Sequence, residues 1–197
     1  MNLLTNYKLL DDTFKSLAEE VLINGEPQQC IVTTAYLGID ESRHISSLQA
    51  FKRGDYVQHK GQTYLITEEV KSTRHNKYRA KMTNCDHSFV VKDLIGRVEV
   101  GKDSLGKPIY ENIYSDPYSI YGHMKQWDRS LNMSFQVGMM QVTYFIDVQN
   151  NTKNREQFAI NNVYEIRGKT MKVALHELSN DGIIGLLFLQ SGAKAPY

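Results

Sequence analysis

Hydrophobic residues at the start of the chain recur at the spacing of an amphipathic helix. The repeating positions, alternately four and three residues apart, are Leu3, Tyr7, Leu10, Phe14, Leu17 and Val21. Asn24-Gly25 follows and tolerates a left-handed backbone, which predicts the end of the helix there. The segment 1–25 is therefore predicted to be helical. Its apolar face packs on its own domain or docks on a neighbouring chain.

Beyond Gly25 the alternation of apolar and polar residues has the period of β-strands. Two runs, 56–59 and 62–67, flank Lys60-Gly61, a pair suited to a tight hairpin turn. A second hairpin is predicted from 97–100 to 109–111. No helix-length pattern interrupts these runs, so the strands are expected to be mostly antiparallel.

A weak internal repeat relates two distant parts of the chain. Residues 51–66 align with residues 158–173, and both copies begin with Phe and place a basic residue before a Gly at the turn. Duplication explains this pattern, and so does convergence on hairpin chemistry. Either origin predicts a mainly β fold of two small antiparallel barrel- or sandwich-like units, at 26–100 and 131–197, with the N-terminal helix in front.

The segment 101–130 between the two units combines a hairpin with aromatic residues in a polar context. The aromatic positions include Tyr114, Tyr118, Tyr121 and Trp127, and Asp116-Pro117 interrupts any regular strand. A long connection without clear periodicity is uncommon unless it is functional or docks on something. The segment is either an extended arm that buries its aromatics against a neighbour or a crossover strand on its own barrel.

Composition narrows the function classes. The chain has 197 residues, a formal net charge of +1 and 41% hydrophobic residues, without a run long enough to span a bilayer. The absence of a basic excess argues against wrapping nucleic acid by bulk charge. Two cysteines, Cys30 and Cys85, are too few for a disulfide framework and are typical of a reducing compartment.

Candidate chemistry is sparse. Cys85 and His87 form a close pair and His75 is the nearest further ligand, which is short of the paired sets that structural zinc requires. No nucleophile elbow and no phosphate-binding glycine loop is present. We therefore expect no enzyme activity, no metal and no cofactor.

A basic stretch with a tyrosine inside it lies at residues 71–79. Lys71, Arg74, Lys77 and Arg79 surround Tyr78, the combination that single-stranded nucleic-acid sites use for charge and stacking. A solvated hairpin explains the same residues. The alternative function is therefore a small β-barrel protein that binds single-stranded nucleic acid.

Several motifs together resemble small structural proteins of tailed bacteriophages. The first is a hairpin that reads Gly-Asp-Tyr-Val at 54–57 and then Gly-Gln-Thr-Tyr-Leu-Ile at 61–66. The strand 78–87, the second hairpin at 163–173 and the closing run 181–189 also fit, so the resemblance extends from about residue 28 to 189. Asp86 and Met171 depart from the usual pattern, where asparagine and an aromatic residue are more common.

This resemblance implies a non-enzymatic virion component of the phage neck, a head-to-tail connector of the adaptor or head-closure type. Such proteins form closed rings beneath the portal, so the expected partners are other copies of the chain and portal, adaptor or tail-terminator proteins. DNA is expected only as passing cargo, and no membrane is expected. The protein would assemble in the host cytoplasm and reside in the virion. The predicted interface residues are Leu3, Tyr7, Leu10, Phe14, Tyr114, Tyr118, Tyr121 and Trp127.

Overall fold

A computed structural model describes residues 7–38, 41–73, 77–125 and 143–191 of the chain. Two short helices and fifteen strands lie within these ranges. In chain order they are α1 (Tyr7–Leu17), β1 (Glu19–Ile23), β2 (Glu26–Tyr36), β3 (Ser42–Ser47), β4 (Tyr56–His59), β5 (Gln62–Ile66), β6 (Lys71–Thr73), β7 (Lys77–Asn84), β8 (His87–Val91), β9 (Leu94–Lys102), β10 (Pro108–Tyr114), β11 (Tyr118–Lys125), β12 (Thr143–Gln149), α2 (Thr152–Gln157), β13 (Val163–Ile166), β14 (Lys169–Glu177) and β15 (Ile183–Gln190).

The N-terminal helix is shorter than the sequence predicts. It ends at Leu17, and Val21 lies in β1, where it and Ile23 are buried in a strand that pairs with β2. Asn24-Gly25 is the turn between these strands, with positive φ at both residues, and does not end a helix. Within the described residues, neither helix has the length and apolarity needed to cross a membrane.

The first unit is a closed antiparallel barrel. Its strands follow the order β3-β2-β1-β4-β5-β7, and β7 pairs with β3 to close the circle. The short β6 pairs with the first part of β7. Buried side chains from all six barrel strands fill the interior, among them Val57, Tyr64 and Met82. The closure removes the free edges that an open sheet would present.

The second unit is a six-stranded antiparallel sheet in the order β13-β14-β15-β12-β11-β8. Its end strands, β8 and β13, do not pair with each other, and aromatic side chains in the interior bridge the gap between them. The Phe89 ring of β8 lies 5.5 Å from the Tyr164 ring of β13 and 4.8 Å from the Phe158 ring. We call this junction the seam. Aromatic packing there replaces the backbone hydrogen bonds that close the first barrel.

The two units share one topology. Strands β1, β2, β3, β4, β5 and β7 correspond in chain order and sheet order to β8, β11, β12, β13, β14 and β15. Each neighbouring pair in one unit has its equivalent in the other, except that β1 pairs with β4 whereas β8 does not pair with β13. The prediction of two antiparallel barrel-like units is confirmed.

The sequence repeat corresponds to the same backbone geometry at an offset of 107 residues. Lys60 and Arg167 each have φ of 49°, and a glycine with positive φ follows each of them. The hydrogen bond from Gly54 N to Ile66 O recurs from Asn161 N to Val173 O, with lengths of 2.8 Å in both cases. The aligned residues therefore form one loop-and-hairpin motif twice.

The unit boundaries differ from the predicted ones. Strand β8 pairs with β11 of the second sheet, so the first unit ends at β7 and not near residue 100. The predicted irregular arm is also corrected for residues 118–125, because these residues form β11 inside the second sheet. The crossover-strand alternative is the correct one for this segment, and residues 126–142 lie outside the described part of the chain.

Candidate interaction surfaces

Two glycines bring the backbones of the two units into close contact. A Cβ atom placed on Gly54, in the loop before β4, would lie 1.8 Å from the carbonyl oxygen of Gly182. A Cβ atom placed on Gly182, in the turn before β15, would lie 2.0 Å from the carbonyl oxygen of Arg53. Both glycines have positive φ, at 90° and 82°. Backbones this close require glycine on both sides.

Polar groups surround this contact, and we call the whole region the joint. The Arg53 Nε donates to the carbonyl oxygen of Asp181 at 2.7 Å. The Tyr56 hydroxyl donates to the carbonyl of Tyr121 and accepts from the Gln149 backbone N–H at 3.2 Å. Burial raises the pKa of this tyrosine above its ordinary value, so the hydroxyl keeps its donor proton. The joint therefore fixes the first unit on the second.

A cleft of about 360 Å³ lies beside the joint, between strands β1, β4 and β5 of the first unit and Tyr121 of the second. Its lining is largely polar and includes Glu20, Lys60 and Gln62. Glu19 nearby pairs with both His59 and Lys60, at 2.7 and 3.0 Å. The Glu19 carboxylate therefore already has partners within the chain.

The longest exposed element is the hairpin of β9 and β10. We call residues 94–114 the hairpin arm. These strands pair only with each other. Nine large hydrophobic residues of the arm are exposed to solvent: Leu94, Ile95, Val98, Val100, Leu105, Ile109, Tyr110, Ile113 and Tyr114. An isolated two-stranded hairpin is marginally stable in water, which points to a surface that is completed by contact with something else.

Apolar side chains lie on both faces of the hairpin arm. Val98 pairs across the strands with Glu111, whereas Tyr110 pairs with Glu99 on the opposite face. Two irregularities in β9, opposite Ile109 and near Tyr114, increase its local twist. The sequence predicts this hairpin at 97–111, but of the exposed hydrophobic residues of the arm only Tyr114 is among the predicted interface residues. Their presence on both faces of a short hairpin is the signal that would have selected them.

Asp93 anchors the base of the hairpin arm. Its carboxylate accepts from the Tyr118 hydroxyl and from the Gln157 amide, each at 2.7 Å, and pairs with the Lys153 ammonium at 2.9 Å. The hydrogen bond from Lys153 and that from Tyr118 lower the pKa of this carboxyl group. The backbone N–H of Ser115 donates to the Asp93 carbonyl at 2.8 Å and so closes the base. The arm is thus held on the second unit at a defined place.

The aromatic residues predicted to form a partner interface are divided by the structure. Tyr114 is exposed at the end of the hairpin arm. Tyr118 and Tyr121 are half-buried in β11, where Tyr118 bonds Asp93 and Tyr121 packs against Tyr56. These two tyrosines support their own chain. A double alanine variant at 118 and 121 would therefore report on folding more than on a partner.

In the helical part of the predicted interface, the structure describes the side chain of Phe14, which is not available to a partner. Phe14 is buried, and the Lys77 ammonium lies 5.7 Å from the centre of its ring. Tyr7 and Leu10 lie in α1. Leu3 and Trp127 lie outside the described residues.

The basic stretch is a strand pair at one end of the first barrel. Lys71 and Arg79 are exposed and directly opposite each other in the pairing of β6 with β7. Tyr78 faces the other way, because it packs against the core and against Phe51 at 6.5 Å. It is therefore turned away from the two cations and does not form the expected stacking platform beside them. Arg74 lies outside the described residues.

The thiols are suppressed as nucleophiles. Burial raises the pKa of Cys30 to about 11 and that of Cys85 further still, so both remain protonated at neutral pH. In the part of the chain that the structure describes, no three histidine, cysteine or acidic side chains converge as a metal site would require.

Comparison with known proteins gives one match. The model of the YomX N-terminal domain family matches residues 2–84. The match ends at the last residue of β7, so it covers α1 and the first barrel and stops where the second unit begins. YomX is a phage-derived family name, which agrees with a phage protein and carries no specific neck assignment. No curated protein and no solved structure matches the chain.

Proposed function

We propose that the protein is a structural component of the phage neck, a ring-forming head-to-tail connector of the head-closure or adaptor type. The observation that carries the proposal is the hairpin arm, an apolar element held at a fixed place on a body of two joined barrels. A surface of this kind serves contact between proteins better than it serves chemistry on a small molecule. The phage-derived family match of the first unit supports the same class.

The test uses the full chain and the portal protein of the same phage. We expect the chain to bind portal assemblies, and negative-stain images to show an added ring at the tail-facing end. A variant with Lys71→Ala and Arg79→Ala should bind equally well, because the proposal assigns no role to these exposed cations. Failure of the wild-type chain to bind portal, adaptor and tail-terminator proteins alike would overturn the proposal.

The adjacent cations Lys71 and Arg79 favour a second candidate, binding of single-stranded nucleic acid. Charge without a stacking aromatic predicts weak, salt-sensitive binding. Fluorescence anisotropy with labelled single-stranded DNA at low salt separates the candidates. Binding that the double alanine variant abolishes would favour this function over the connector.

A further inference from the structure

The repeat relates the hairpin arm of the second unit to a turn of the first unit, and that turn contacts the second unit. The connection from β8 to β11 corresponds to the connection from β1 to β2, which is the two-residue turn Asn24-Gly25. In the first unit the Asn24 side chain contacts both Asp55 of the adjoining loop and Gln149 of the second unit. The turn therefore belongs to the joint. The hairpin arm is an insertion at the equivalent place.

The loop at residues 159–162 of the second unit also corresponds to a segment of the first unit that lies in the joint. Arg53 and Gly54 of the first unit lie against the turn at Asp181 and Gly182. Their equivalents at the repeat offset, Ile160 and Asn161, are exposed, and Ile160 is 55% exposed. The loop of the first unit is therefore covered by the second unit, whereas the equivalent loop of the second unit is exposed to solvent.

The base of the hairpin arm is linked through Gln157 to the loop at 159–162, which places the two uncovered elements at the same part of the second unit. The Asp93 carboxylate at the base of the arm accepts from the Gln157 amide, and the Gln157 carbonyl accepts from the Asn162 side chain at 2.7 Å. The contact between Asn24 and Asp55 is the equivalent connection in the first unit. We call residues 94–114 and 159–162 together the distal face.

We propose that the distal face binds the first unit of a second copy of this chain, head to tail, and that this contact builds the ring. The proposal deepens the proposed connector function and rests on it for the closure of the ring. By the same equivalence the receiving surface lies just beyond β3. Ser42 and Thr143 pair with equivalent residues of β7 and β15, so Leu48 is the residue that corresponds to Gln149. Leu48 is exposed on the first unit. A heterologous contact of this kind closes into a ring when the rotation between copies permits.

The exposed area suits a stable contact between copies. The nine large hydrophobic residues of the hairpin arm are each 42–81% exposed and lie on both of its faces, so a partner that encloses the arm removes several of them from water at once. The formal charges of the arm are balanced, with Arg97, Lys102 and Lys107 against Glu99, Asp103 and Glu111, so no strong field opposes a near-neutral second copy.

The test begins with an arm-deletion variant, in which residues 94–114 are replaced by Asn-Gly. The hydrogen bond between Asp93 and Ser115 already closes the base, so a two-residue turn spans the gap. Sedimentation velocity should give oligomers for the wild type and monomers for the variant, and a single cooperative thermal transition should show that the variant is folded. A wild type that is monomeric at every concentration, or a folded arm-deletion variant that assembles like the wild type, would overturn the inference.

A second pair of variants keeps the arm in place. Val98→Thr with Ile109→Thr retains β-branched side chains but removes methyl groups from the exposed surface, and should weaken association about tenfold or more. Val90→Thr is the control, since Val90 is an exposed valine of β8 outside the distal face. Equal weakening by the control and the arm substitutions would contradict a role of the arm.

Mixing two defective chains tests the head-to-tail geometry. The arm-deletion variant lacks the distal face, and Leu48→Asp disables the receiving surface. Each should be monomeric alone, and an equimolar mixture should give a one-to-one dimer because one complete contact remains. Loss of assembly in the arm-deletion variant without dimers in the mixture would overturn the head-to-tail arrangement. Portal binding is then measured for an arm-deletion variant that no longer assembles with itself. Because the self-contact and the portal contact are measured separately, this inference and the proposed function can fail independently.

Discussion

The backbones of Gly54 and Gly182 touch across the two barrels, and each lies where a side chain on the other would collide with a carbonyl group. Gly182→Ala should therefore destabilise the protein by about 2 kcal/mol or more, because a methyl group has to displace backbone and also strains a positive φ. The free energy of unfolding from urea denaturation measures this cost.

Gly25→Ala is the matched control for that substitution. Gly25 has a φ of 88°, but a Cβ atom there meets nothing within 4 Å. The control therefore carries the conformational cost alone, about 1 kcal/mol. Equal losses at both sites would show that the close approach at the joint does not contribute to stability.

Lys125 neutralises a buried carboxylate. Asp147 is 4% exposed, its Oδ2 lies 2.9 Å from the Lys125 Nζ, and burial raises its pKa. Lys125→Met should destabilise the protein by about 1–3 kcal/mol at neutral pH, since the carboxylate then lacks its partner. The loss should shrink as the pH is lowered towards the pKa of Asp147, where the carboxyl group becomes neutral.

Urea titrations of the wild type and the Lys125→Met variant at several pH values give this difference directly. Lys153→Met is the control, because Lys153 pairs with Asp93 at an exposed site and its removal should change stability little. A destabilisation by Lys125→Met that stays constant with pH would rule out the ionised carboxylate as its cause.

The Glu41 carboxylate makes the stability of the first barrel depend on pH in the acidic range. The hydrogen bond from Arg43 holds the pKa of this carboxyl group below its ordinary value of 4.5, and Tyr64 adds another hydrogen bond. A lowered pKa in the folded state gives stability that is present above pH 4.5 and is lost as the pH falls through the folded pKa. Glu41→Gln should therefore be less stable than the wild type at pH 7 and should approach it in acid.

Thermal unfolding between neutral pH and pH 3 follows that difference, with Glu26→Gln as the control because Glu26 is exposed on β2. A stability gap between Glu41→Gln and the wild type that persists undiminished in acid would contradict the assigned role of the carboxylate.

Phe158 holds the seam of the second unit. Its ring lies 4.8 Å from that of Phe89 and 5.1 Å from that of Tyr164, and the residue is fully buried. Phe158→Ala should cost about 3–5 kcal/mol and should expose the amides of β8 and β13 to hydrogen exchange. Phe51→Ala at the equivalent position should leave its own barrel closed, since β1 and β4 are joined by backbone pairing. Equal exchange at both junctions would refute the special role of the aromatic contact.

Local chemistry explains which elements could be predicted from the sequence. The hairpins at Lys60-Gly61 and Arg167-Gly168 depend on turn residues that require positive φ, and these residues are adjacent in the chain. The end of α1 could not be placed in the same way, because Val21 satisfies both the helical spacing after Leu17 and the strand alternation with Ile23.

Strand β11 was obscured by a glycine at a buried position. Gly122 faces the sheet interior, where a Cβ atom would lie 2.6 Å from a methyl group of Ile146. The apolar alternation of Ile120 and Met124 is therefore interrupted in the sequence although it is continuous in space. A tertiary contact fills the position, and a single sequence does not contain that contact.

The candidate surface was predictable only in part. The position of the hairpin follows from its strand pattern, but the exposure of Val98 and Ile109 does not, because apolar residues in strands usually indicate burial. Phe14 shows the converse, since this residue of the helical stripe is offered as an interface and is buried by the chain itself. Which apolar surface is satisfied internally depends on the packing of the whole fold.

Because the base of the hairpin arm is closed, we expect the arm and the sheet that carries it to evolve under different selection. The hydrogen bond from Ser115 to Asp93 closes the base independently of the residues between them, so we expect changes in the length or composition of the arm to leave the sheet of the second unit in place. On the proposed function, mutations in the arm are then selected by the contact that the arm makes, and mutations in the sheet are selected by folding. A lineage carrying this chain is then expected to exchange its contact specificity while its scaffold stays the same.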